Sequence, residues 1–134
     1  YRFSKRLEKR SEIMTKQYDL DINKVFFYES HRKKIISELK KRHNLKLNDI
    51  LFLHHLKTTE SRRISLHKVK QSIDFSLMEI HKSLTALTEN GIIGKERSTE
   101  DERKVFITIN DEQEKKMTEV LANFEILIKD IVQS

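Results

Sequence analysis

Backbone punctuation is gathered at one place in this chain. The 134 residues include no proline and two glycines, Gly91 and Gly94. Proline breaks helix interiors, and glycine supplies the left-handed or closely approached backbone that other residues avoid. A chain so poor in both folds mainly into long helices, with its sharpest turns near residues 91–94. Cysteine is absent too, which excludes disulfides, cysteine-based metal sites and thiol redox sensing. No apolar run reaches membrane length and no signal-peptide pattern opens the sequence, so the expectation is a cytoplasmic protein without membrane attachment.

Apolar spacing then sets the elements. Residues 1–20 are basic at first (Arg2, Lys5, Arg6, Lys9, Arg10) and read as a basic arm or polar helix. From Asp21, the residues Ile22, Val25, Tyr28, Ile35 and Leu39 lie near one helical face, widened by Phe26 and Ile36. Asn44 can stop this helix. A second helix is expected after Asn48 as N-cap, carrying Ile50, Leu51, Leu53 and Leu56. The stretch from Thr58 to Arg63 reads as a loop or the edge of a short strand. Ser65 can cap a short third helix bearing Leu66, Val69 and Ile73.

The next segment signals both of its ends. Ser76 and Glu79 stand at the two positions of a capping box, and Phe75 and Ile80 can form its hydrophobic staple. Ile80, Leu84 and Leu87 make a narrow buried stripe, and Gly91 after Asn90 is a left-handed stop. Beyond Gly94 the period changes. Val105, Ile107 and Ile109 alternate with Lys104, Phe106 and Thr108, which predicts a β-hairpin with a long charged tip. Asn110 can cap a last helix in which Met117, Leu121, Phe124, Ile128 and Ile131 recur at threes and fours, with Val120, Leu127 and Val132 beside them.

Short helix, turn, capped helix and hairpin form the order of a winged helix-turn-helix. The predicted class is mainly α (α+β), with a small antiparallel β-hairpin and terminal dimerisation helices. Residues 21–134 form the single domain: 21–44 and 111–134 supply the dimerisation helices, and 64–109 the helix-turn-helix and wing. Apolar residues make up 37% and charged residues 36%, which is polar for a compact monomer, so the long apolar stripes point to a second copy. Val25, Tyr28, Leu121, Phe124, Ile128 and Ile131 are the expected interface.

Such an architecture places a helix in the DNA major groove, where its first turns reach base edges. The balance of 27 Lys+Arg against 21 Asp+Glu gives a net charge of +6, which favours a polyanion. On the capped helix Met78, Glu79, His81, Lys82 and Thr85 point outward, with Met78 assigned to packing. Ser76, His81 and Lys82 can donate to phosphate or bases. Glu79 can accept from cytosine, although the capping box already employs it. On the hairpin tip Arg97, Arg103 and Lys104 offer cations. Arg103 suits a narrow A·T-rich minor groove, with Asp101 orienting its guanidinium.

These residues together resemble the MarR family of winged-helix transcription regulators: the helix-turn-helix, then Gly91-Ile92-Ile93, then Asp101-Glu102-Arg103, then the strand Val105–Ile109 with Asn110. The small size and the run Asp101-Glu102-Arg103-Lys104-Val105 are closer to the staphylococcal accessory regulator (Sar) subfamily. The resemblance spans about residues 22–132. It implies a homodimeric regulator of transcription, with virulence regulation as the field of action, and terminal helices forming the interface. It makes Arg103 the wing arginine in the minor groove and Asp101 its partner. Ser76, Glu79, His81 and Lys82 fall at or near the recognition positions. The Leu77-Met78-Glu79 run departs from the commoner family pattern of small polar residues and arginine.

Other classes fit less well. No phosphate-cradling glycine loop, cysteine nucleophile or nucleophile elbow is present, so no enzyme is expected. The six histidines show no metal-ligand spacing, and no cofactor is expected. The alternative is a dimeric helical adaptor or anti-regulator that binds a protein. By family analogy a small-molecule effector can sit near Tyr28, His31 and Phe52, which read more simply as core or interface residues.

Overall fold

The computed structural model describes residues 21–133. The basic segment 1–20 lies outside the described residues. The order is α1 (Ile22–His43), α2 (Leu47–Thr58), β1 (Arg63–Ser65), α3 (Leu66–Ser72), α4 (Leu77–Glu89), β2 (Gly94–Arg97), β3 (Val105–Thr108) and α5 (Asp111–Gln133).

Caps and turns place these elements. Asp21 accepts from the Lys24 backbone N–H at the start of α1, and Asn44 ends it in the left-handed region at φ 54°. The expected Asn48 cap is displaced. α2 begins two residues earlier, with Lys46 at the cap position and the Asp49 carboxylate accepting from the Lys46 N–H at 2.9 Å. Asp49 outcompetes Asn48 because a carboxylate at the third helical position satisfies that free N–H and suits the positive helix end. Ser65 does precede α3, but its hydroxyl makes no capping bond. Asn110 caps α5 through a reciprocal pair with Gln113, each bond 2.8 Å.

The sheet has three strands rather than the two of a hairpin. Its order is β1-β3-β2, antiparallel throughout, with Ile64 opposite Ile107 and Lys95 opposite Ile107 on the other side. A three-residue strand is too short to show alternation, so β1 was legible only as a strand edge. Both glycines are structurally required. Gly91 sits at φ +69°, and a Cβ on Gly94 would lie 2.5 Å from the Thr108 Oγ1.

One core joins the helices to the sheet. Leu39, Phe52, Leu53, Leu87 and Ile107 are completely buried, beside Ile35, Leu56, Val69, Ile80 and Ile93. Each such apolar side chain contributes about 1.5–3 kcal/mol by leaving water. Leu51, expected on the α2 core stripe, is 47% exposed, and Phe52 takes the core position instead. The helix turns that residue inward because Ile50, Leu53 and Leu56 already fix the buried side around it. Arg62, just before β1, pairs with Asp111 and Glu114 on the first turn of α5. Among the described residues, no helix is long and apolar enough to cross a membrane.

Candidate nucleic-acid interface

The capped helix α4 is built as its sequence specifies. The Ser76 hydroxyl accepts from the Glu79 N–H at 3.2 Å, and the Glu79 carboxylate accepts from the Ser76 N–H at 2.9 Å. Phe75 packs against the core, its ring centroid 6.4 Å from that of Phe52. Ile80, Ser83, Leu84 and Leu87 face inward. At about 100° per residue, Leu77, Met78, His81, Lys82 and Thr85 fall within an arc of about 140° on the opposite side. All five are exposed.

Two assignments on this helix change. Glu79 is not a free acceptor, because its second oxygen takes a 3.1 Å bond from the Asn48 Nδ2 on α2. With both oxygens employed, base reading would require breaking the cap. The Ser76 backbone N–H, then the Ser76 side chain, hold the Glu79 carboxyl below the ordinary glutamate value; Asn48 and Lys82 act in the same direction. Met78 does not pack: it is 66% exposed, and its neighbour Leu77 57%. The inward side of α4 is already filled by the Ile80, Leu84 and Leu87 stripe, which leaves no place for either.

The wing tip between β2 and β3 is ordered by its own bonds. The Ser98 hydroxyl accepts from the N–H groups of Glu100 and Asp101 at 3.2 and 3.3 Å. The Lys104 N–H donates to the Asp101 carbonyl, and the Ser98 N–H to the Lys104 carbonyl, both at 2.9 Å. Asp101 Oδ1 then accepts from the Arg103 backbone N–H at 3.1 Å and from its Nε at 3.2 Å. The Arg103 side chain is nevertheless 92% exposed. Asp101 thus aims the guanidinium from one edge and leaves the other edge open.

The neighbouring charges sort themselves. Arg97 donates to the Glu102 carbonyl at 3.0 Å and braces the tip, so part of its guanidinium is spent inside the wing. Lys104 is exposed. Of the four acids on the wing, Glu96 lies 3.6 Å from the Arg63 Nε and Asp101 holds Arg103. Arg63 also stacks on Phe106, 3.8 Å from the ring centroid. Sequence reasoning missed Arg63 and Asn48, since neither carries a local pattern that would reveal a partner 31 or more residues away.

The expected interface residues divide. Val25 and Tyr28 are 60% and 43% exposed, together with Ile22, Phe26 and Phe27. Leu121, Phe124 and Ile128 are half-buried. Ile131 is 5% exposed within a single protomer and has little surface left for a partner. It turns inward where α5 packs on α1, a pairing also marked by Arg42 reaching Asp130 at 3.8 Å. The apolar Ile126, absent from the expected stripe, is 55% exposed. The suggested effector trio does not assemble: Phe52 is fully buried, whereas Tyr28 is open and the His31 ring packs on Phe27 at 4.2 Å.

A helix-turn-helix packed on the core, a capped helix with one exposed face and a three-stranded wing define a winged helix-turn-helix protein. Residues 34–120 match the family described as transcriptional regulator SarA/Rot, and the chain belongs to that family. It is 29% identical over 110 residues to the HTH-type transcriptional regulator SarR of Staphylococcus aureus strain USA300, covering 82% of this chain and 96% of SarR. Its fold is similar to the transcriptional regulator BldR from Sulfolobus solfataricus, with TM-score 0.61, 18% identity and coverage of 90% and 85% of the two chains. It is also similar to Sco3205, a MarR family regulator from Streptomyces coelicolor solved in complex with DNA, with TM-score 0.60, 15% identity and coverage of 82% and 69%. The chain is therefore a transcriptional regulator of the SarA/Rot type with a MarR-like winged-helix fold, not an enzyme. The matched stretch leaves out the first half of α1 and the last part of α5.

Proposed function

We propose that this regulator acts as a homodimer on double-stranded DNA, with α4 of each protomer in a major groove and Arg103 of each wing in a flanking A·T-rich minor groove. The observation that supports this most is the wing arginine. A guanidinium that is almost fully exposed, yet aimed by a carboxylate on its own tip, suits a narrow groove of negative potential. His81, Lys82 and Thr85 on the open face of α4, the Ser76 hydroxyl hydrogen and Lys104 supply the remaining donors. Glu79 and Arg97 serve as braces rather than readers. The exposed apolar residues at the start of α1 supply the second copy's contact surface, as in the division into dimerisation helices and a DNA-binding lobe.

Fluorescence anisotropy with a short A·T-rich duplex across a salt series tests this reading. The wild type loses affinity steeply with salt, because each neutralised phosphate releases counterions. Arg103→Ala costs about 1–3 kcal/mol at fixed salt. Binding that is absent, or indifferent to both salt and Arg103, refutes the proposal and returns the chain to the protein-binding adaptor reading.

A further inference from the structure

The open face of α4 is not wholly polar. Its first turn presents two large apolar side chains, Leu77 at 57% and Met78 at 66% exposure. Exposed leucine and methionine leave apolar surface in water, and a partner that covers them gains free energy by removing it. Their helical positions decide which partner. Leu77 is four residues before His81, and Met78 four before Lys82, so each apolar group shares a line along the helix with a donor. His81, Lys82 and Thr85 continue the same face, and its one acidic residue, Glu89, stands at the last position of the helix, three turns from the apolar pair. A lysine and further hydrogen-bond donors set beside an apolar pair complement a polyanion with apolar points on its surface, and an acidic or apolar protein surface matches only half of that pattern.

We infer that Leu77 and Met78 read thymine, by apolar contact with its C5-methyl groups on the major-groove floor. The thymine methyl is the one apolar group that distinguishes a base edge in that groove. This rests on the proposed placement of α4 and assigns its sequence preference. Glu79, locked by Ser76 and Asn48, is withdrawn from cytosine, which removes the first-turn carboxylate as a competitor for a G·C pair. The N-terminal turn of the recognition helix therefore selects T through shape, while His81 and Lys82 supply hydrogen bonds beside it. Preference for A·T pairs then has two sources: the wing in the minor groove and the methyl contacts in the major groove.

Deoxyuridine substitution isolates the second source, since uracil differs from thymine only by the methyl. Duplexes enriched from a random-sequence pool by the full chain are resynthesised with deoxyuridine replacing one thymidine at a time. The wild type is expected to lose about fourfold in affinity at one or two positions per half-site, the worth of about one buried methyl group. Leu77→Ala and Met78→Ala both change exposed side chains, and circular dichroism verifies their fold. Each variant is expected to bind the thymidine duplex about fourfold more weakly and to lose discrimination at one of those positions. Equal wild-type affinity for all deoxyuridine duplexes, with salt and Arg103 dependence intact, overturns the methyl contact and leaves the DNA-binding reading standing. Discrimination that persists in the double variant overturns it as well. Failure to enrich any duplex overturns both.

Discussion

Helices α1 and α4 both carry apolar stripes, and they end in different circumstances. α4 closes its stripe within one protomer: Ile80, Leu84 and Leu87 are each at most 4% exposed, and caps fix both ends. α1 buries Ile35 and Leu39 alone, while Ile22, Val25, Phe26, Phe27 and Tyr28 stand open over its first two turns. The contrast teaches that periodicity marks a face to be covered and does not say by what. The face of α4 is covered by its own fold. That of α1 is left 43–81% exposed at those five residues, and a second copy of the chain is the proposed cover.

Four substitutions break or sharpen that contrast. Leu84→Ala strikes the self-contained side and has the largest effect, about 3 kcal/mol of stability by lost burial and cavity formation, read by urea unfolding. Phe26→Asp strikes the open side. It is expected to weaken self-association by about 2 kcal/mol, roughly thirtyfold, in sedimentation velocity, with little change in the folding of the helix-turn-helix. If Phe26→Asp unfolds the chain instead, the two helices do not differ as described. Ser76→Ala removes the cap of α4 and costs about 1 kcal/mol in thermal or urea unfolding. Arg103→Ala leaves stability unchanged and is felt only in DNA affinity.

The smallest effect is a pH dependence at Glu79. Its folded-state value is lowered by Ser76, Asn48 and Lys82. A depressed carboxyl adds stability that is complete above its unfolded value and is lost as pH falls through the folded one. The stability difference between wild type and Glu79→Gln is therefore expected to shrink as pH drops below the ordinary glutamate range. A difference that stays constant into acid would show that the cap does not depend on the charge.

Legibility in the sequence followed the range of the interactions. Ser76, Glu79, Gly91, Asn110 and the Asp101–Arg103 pair act within a few residues, and their local patterns announced them. The expected fold class, mainly helical with a small antiparallel sheet, agrees with the structure and its neighbours. What escaped was non-local. Asn48 reads as a cap by its residue type, and its actual partner, Glu79, lies 31 residues away. β1 had too few residues for a period and needed β3 to become a strand. Residue type alone points Met78 to packing, and only the filled inward face of α4 shows that no room remains. Spacing points Ile131 to the interface, yet it is buried in the protomer's own core.

The central claim joins the two regions: α1 makes the dimer that lets two α4 helices and two wings engage one duplex. Analytical ultracentrifugation of the full chain, saturating a duplex enriched from a random-sequence pool, tests both parts together. The account predicts a complex of two chains per duplex, reduced in amount by Phe26→Asp. A saturated complex with one chain per duplex, unaffected by Phe26→Asp, would contradict it.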